Sequence, residues 1–147
     1  MEAGGCGQAR TKGNVMPIVW RNEMSVGNAE IDSDHKYLIS LINVIEAAVN
    51  SRFRDKVLLP HVSELFVYTE EHFTREEKIQ ADMKYPETHK QKHRDLIKQL
   101  QGIRGTMEAH ANGEYYNAAV QELFDVLKNW LIDHILNEDM KMKPYFK

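Results

Sequence analysis

Long helical stretches that carry histidine and carboxylate within an otherwise apolar stripe leave a chain few ways to fold. Four such stretches follow one another after about residue 30. The first sets His35, Leu38, Ile39, Ile42 and Val49 at the spacing of one helix face. The second, from about Lys56 to Lys84, aligns Val62, Leu65, Thr69, His72, Phe73, Glu76, Ile79 and Met83. The third aligns His89, His93, Leu96, Leu100, Ile103 and Met107, and the fourth Val120, Leu123, Leu127, Trp130, Leu131 and His134. No stretch alternates with strand period, and no internal repeat is visible. Four apolar stripes must bury one another, and short connections make neighbours antiparallel. The expected fold is all-α, an antiparallel up-down-up-down four-helix bundle with an N-terminal extension.

Local signals set the expected boundaries. Asp32 and Ser33 offer capping side chains for the first helix, which ends near Asn50 and Ser51. Pro60 fits only in or near the first turn of the second helix, or at a kink. In Tyr85-Pro86-Glu87-Thr88 the proline disfavours helix at Tyr85, and Thr88 can cap the third helix. Ala111-Asn112-Gly113 reads as a stop signal, and the fourth helix is expected to end before Pro144. Residues 1–15 are Gly-rich and polar, expected to be a flexible extension rather than a secretory signal.

Composition narrows the function classes. A chain of 147 residues with 42% hydrophobic and 28% charged residues reads as one soluble globular domain. A net charge of −3 gives no electrostatic reason to expect nucleic acid or an anionic membrane as partner. No apolar run approaches the roughly 20 residues that span a bilayer. Cys6, in the extension, is the single cysteine. It excludes an internal disulfide and a thiolate metal site, makes the reducing cytoplasm the natural compartment, and reads as a solvated bystander.

The polar residues inside the stripes point to metal. His72 and Glu76 are four residues apart, as are His89 and His93, so each pair projects from one side of its helix. Six of the seven candidates (His35, His72, Glu76, His89, His93, His134) continue an apolar stripe. The seventh, Asp139, lies five residues after His134, a spacing that a regular α-helix would not bring to one face. The helix is therefore expected to tighten, bulge or end between them. Buried carboxylates need counter-charge, which two cations supply. Imidazole and carboxylate suit iron, manganese, zinc or copper. Five imidazole nitrogens, two bridging carboxylates and a bridging hydroxide would fill all but one position of two octahedral ions. One open position beside a redox-active pair suits a small diatomic ligand and makes iron the natural occupant. His61 and His110 have no partners at helical spacing, and surface roles are expected for them. Met83 and Met107 read as packing residues, and Lys90, Lys92, Arg94 and Lys98 as a solvated face.

The pattern His35; His72-x-x-x-Glu76; His89-x-x-x-His93; His134-x-x-x-x-Asp139 resembles the hemerythrin family in its single-domain bacterial form, over roughly residues 16–147. Val26-Gly27-Asn28, Ile31 through Lys36, His72 through Glu77, Tyr85-Pro86 and Trp130-Leu131 strengthen the likeness. The resemblance implies two iron ions (Fe2+/Fe3+) with a bridging hydroxide or oxide, and reversible binding of molecular oxygen. His89, His93 and His134 would hold the filled iron, His35 and His72 the iron with the open position, and Glu76 and Asp139 would bridge. Trp130 and Leu131 would wall the oxygen pocket. A carrier or store of oxygen and a sensor with an unidentified protein partner both fit. The alternative is a di-iron enzyme acting on peroxide or nitric oxide, although no general acid or base beyond the seven residues stands out.

Overall fold

The structure, a computed structural model, describes residues 17–49, 51, 54–109 and 114–146. The expectations for residues 1–15, Cys6, His110 and the 111–113 stop signal lie outside the described residues. Four helices form: α1 (Ala29–Val49), α2 (Arg54–Asp82), α3 (Thr88–Ala109) and α4 (Glu114–Val126). Beyond α4 the backbone stays right-handed helical but changes gauge. It widens into π-helical turns over Leu127–Ile132 and His134–Glu138, then tightens into a 3-10 segment over Asp139–Tyr145. Sequence neighbours pair, α1 on α2, α2 on α3 and α3 on α4, as an up-down bundle requires. Among the described residues there is no strand, and no helix is long and apolar enough to cross a membrane.

Several boundaries differ from expectation, each for a local reason. Helix α1 starts three residues before Asp32. Gly27, at φ 88°, turns the chain so that Asn28 becomes the cap, its Oδ1 accepting the Ile31 N–H at 3.0 Å. Asp32 instead ties down the preceding loop, accepting from the Val26 N–H at 2.9 Å and from the Ser25 hydroxyl. Pro60 is the seventh residue of α2, deeper than the first turn expected for it, and the next residue, His61, donates from Nδ1 to the Val57 carbonyl at 2.7 Å. Helix α2 ends in a Schellman motif: the Tyr85 N–H reaches the Gln80 carbonyl and the Lys84 N–H that of Ala81. Lys84 takes the left-handed position, φ 55°, where glycine is usual. Thr88 is the first residue of α3 rather than its cap. Pro144 sits inside the terminal 3-10 segment, whose φ its ring fits.

The core divides in two. The main cluster includes Ile42, Ile45, Leu58, Val62, Leu65, Leu100, Ile103, Met107, Val120, Leu123 and Leu127, all buried. A smaller cluster of Val26, Ile31 and Met142, backed by Ile79, Met83, Tyr85, Met140 and Phe146, joins the loop before α1 to the end of α2 and the 3-10 segment. Ile79 and Met83, expected on the main stripe, belong to this second cluster. Met140 and Met142 belong there too.

Candidate metal centre

Up-down topology brings four chain regions to one end of the bundle: the start of α1, the end of α2, the start of α3 and the end of the last helix. Those are the regions that carry His35, His72 with Glu76, His89 with His93, and His134 with Asp139. All seven side chains are buried, and the structure brings them together as two groups. One is His89, His93, His134, Glu76 and Asp139; the other is His35, His72, Glu76 and Asp139. Within each group one donor atom per residue lies within 4.8 Å of every other.

The two carboxylates belong to both groups, and each divides its oxygens between them. Glu76 turns Oε1 to His89 Nε2 (2.9 Å) and His93 Nε2 (3.3 Å), and Oε2 to His72 Nε2 (3.0 Å) and His35 Nε2 (3.8 Å). Asp139 turns Oδ1 to His89 and His134 Nε2, both at 3.0 Å, and Oδ2 to His35 Nε2 at 3.0 Å. The odd spacing of His134 and Asp139 is met by the π-helical turn between them. The Asp139 N–H bonds to the His134 carbonyl, an i→i+5 closure that swings residues five apart towards one face. The expected irregularity is present.

Donor chemistry fits cations. His35 Nε2, His72 Nε2, Glu76 Oε2 and both Asp139 oxygens are buried without a hydrogen bond among the described residues, although contacts of 3.0 Å join them. His93 Nε2 and His134 Nε2 face each other at 3.1 Å. Converging lone pairs at such spacing repel unless a proton or a metal ion lies between them. Without metal, protons take that part. Burial would push His35 and His89 down, but Asp139 and Glu76 raise both to about 9. Burial would raise Glu76 and Asp139, yet the imidazoles facing them hold both well below the usual carboxylate range. Burial dominates at His93, whose pKa is lowered.

Some surrounding side chains were not singled out in the sequence. Asp34, buried beside His35, accepts from His72 Nδ1 at 2.9 Å, from the Tyr68 hydroxyl at 2.7 Å, and from Arg75 Nε and Nη2 at 2.8 and 2.9 Å. Tyr68 and Arg75 stand four residues before and three after His72, on one helix face, which was the available signal. Gln80 Nε2 donates to Glu76 Oε1 at 3.2 Å. On the three-histidine side, aromatic rings cover the imidazoles. Phe73 stacks on His93 (3.7 Å, 2° between planes), Trp130 on His134 (4.7 Å, 11°), and Tyr85 meets His89 edge-on at 5.7 Å. Trp130 is half-buried and lines a surface cavity of about 200 Å³ with Lys92, Asn129, Asp133, His134 and Glu138. Leu131 is fully buried in the main core.

His61 lies in neither group of donors. His61→Leu should therefore leave metal content unchanged, whereas His35→Leu should deplete the two-histidine group and His93→Leu the three-histidine group. Metal analysis of the three purified variants checks this, and a loss in His61→Leu equal to the others would redraw the ligand set.

A family profile described as the hemerythrin HHE cation binding domain matches residues 26–146. A bacteriohemerythrin of Clostridium acetobutylicum is 30% identical over 127 residues, covering 83% of this chain and 95% of that protein. One from Pseudomonas paraeruginosa is 30% identical over 124 residues, covering 83% and 76%. A hemerythrin-like protein of Naegleria gruberi is 29% identical over 129 residues, covering 86% and 92%. The matched span runs from the turn before α1 to the end of the 3-10 segment and takes in both groups of donors; the chain belongs to the hemerythrin family.

Proposed function

We propose that the chain binds molecular oxygen reversibly at two iron ions held by His35, His72, His89, His93, His134, Glu76 and Asp139. The observation that carries this reading is the division of oxygens at Glu76 and Asp139, one to each group of imidazoles, which is what a pair of bridging carboxylates must do. A ferrous pair, once bound there, can lend two electrons to one oxygen molecule and recover them on release. The protein's own part is to hold and to shield. Three imidazoles would serve one position and two the other, so an open coordination position would fall to the His35–His72 side. Two ferrous ions with two carboxylates and one hydroxide would sum to +1, a modest charge for a buried site, because the five imidazoles are neutral donors. Few anionic donors favour binding over the higher oxidation states that oxygen cleavage needs. Leu131, fully buried, contributes to the apolar wall that keeps water out, while Trp130 covers His134 from the solvent side.

The protein purified from iron-replete cells should carry two irons per chain without haem or acid-labile sulfide. Oxygen added to the reduced protein under anaerobic conditions should raise a visible absorption band that argon removes, over repeated cycles. Leu131→Ala should permit the first cycle and shorten the series, since the opened cavity admits water; truncation of a buried leucine also costs about 2–5 kcal/mol of stability. One iron per chain, or zinc alone, would overturn the di-iron assignment. A band that never reverses, or oxygen consumed catalytically with a reductant, would replace the carrier by an enzyme.

A further inference from the structure

The two metal positions differ in what stands behind their histidines. On the three-histidine side the imidazoles are held by ring contacts with Phe73, Trp130 and Tyr85. On the two-histidine side, His72 is held by a hydrogen bond to a carboxylate that is itself gripped. Asp34 is 5% exposed, and its two oxygens receive four hydrogen bonds from His72, Tyr68 and Arg75. Arg75 engages it through Nε and Nη2 together, a bidentate geometry that fixes the plane of the carboxylate. The guanidinium also lies over the Tyr68 ring at 5.2 Å. Arg75 is one-third exposed, so this chain of contacts runs from solvent to the outer nitrogen of His72.

We propose that Asp34 is a positioning residue for His72, and that Arg75 sets how strongly it acts. An ionised carboxylate at Nδ1 accepts a hydrogen bond and keeps the ring's proton there, which leaves the Nε2 lone pair to face Glu76 and the two-histidine metal position. It also makes the imidazole a stronger donor. That matters most on the side with one fewer imidazole, where the metal has less to hold it. Arg75 withdraws charge from Asp34 through two hydrogen bonds and so moderates the same effect. The two residues therefore act with opposite sign on the donor strength of His72, although both keep it in place. This inference rests on the two-metal reading of the site.

The test titrates cobalt(II) into the metal-free full-length chain and measures the reduction potential of the iron-loaded protein. Wild type should take up two cobalt ions. Asp34→Asn keeps the shape and removes the charge; it should weaken one of the two ions by about 10- to 100-fold and leave the other unchanged. It should also raise the reduction potential, because a weaker donor favours the ferrous state. Arg75→Gln should lower the potential, because it frees the Asp34 charge. A merely structural role would move both variants in the same direction. Equal cobalt affinities in wild type and Asp34→Asn, or potentials shifted with the same sign, would overturn the proposal. If Asp34→Asn does not fold, Arg75→Gln decides: a lowered potential supports the proposal and a raised or unchanged one sinks it. Uptake of fewer than two cobalt ions by wild type would instead count against the two-metal reading.

Discussion

Glu76→Ala should empty both metal positions at once, so that iron falls from two per chain to a small fraction of one. Each group of imidazoles uses a different oxygen of this one side chain, so its removal takes a donor and a negative charge from both. Variants of a single histidine deplete one group; this one has no intact group to fall back on. Metal bound a thousandfold above its dissociation constant adds about 4 kcal/mol to stability, so the iron-loaded wild type should melt on the order of 10 °C above Glu76→Ala. The gap should narrow when both proteins are stripped of metal. Protonated imidazoles then supply the counter-charge, so Glu76 keeps part of its stabilising share without metal and alanine loses it. Elemental analysis and paired melting curves read the two parts separately. A variant that keeps one tightly held iron would show that the groups do not share Glu76.

The second large effect is a change of sign in the dependence of stability on pH. In the metal-free protein His35 and His89 are raised to about 9, above the 6.5 of the unfolded chain. Between those values the folded state binds more protons than the unfolded one, so stability is full below pH 6.5 and drains away as pH rises to about 9. Glu76 and Asp139 are lowered, so their share is present above the unfolded carboxylate range and lost in acid. The metal-free optimum therefore lies between about pH 4.5 and 6.5. Bound metal keeps those imidazoles free of protons in the fold, so the loaded protein should gain stability as pH rises through the unfolded histidine value of 6.5 and hold it above, where the stripped protein loses it. Melting midpoints at pH 6 and pH 9, with and without metal, should differ in opposite directions by on the order of 10 °C. Parallel slopes would mean that protons and metal do not compete for these residues.

What could be read from the sequence was whatever one helix carries by itself. The four stripes follow from periodicity, and the seven polar positions stood out because they interrupt those stripes with side chains that are costly to bury. Up-down topology then placed all seven at one end without further information. Even the irregular turn before Asp139 was legible, because an α-helix cannot align residues five apart. The Asp34 clamp was not. Asp34 is on α1 while Tyr68, His72 and Arg75 are on α2, and which side chains of two helices meet depends on a crossing that neither sequence states. The break after α2 was legible from Pro86, but the residue that turns the chain was not: Lys84 takes a backbone conformation usually marked by glycine. The start of α1 was misplaced because Asn28, Asp32 and Ser33 are all credible caps, and the turn at Gly27 chose among them.

The donors lie on all four arms of the bundle, and this sets an order of events in the cell. No contiguous stretch of chain holds either group, since Asp139 belongs to both and is the last of the seven to be synthesised. A ribosome needs roughly 5–20 s to travel from His35 to Asp139. Through that interval the nascent chain already carries Glu76 and several imidazoles but has no complete place for an ion. The apolar end of the bundle depends on none of them and can assemble first. Metal loading is thereby deferred until Asp139 has been made and has met the other six, so metal supply acts late in maturation rather than on the choice of fold.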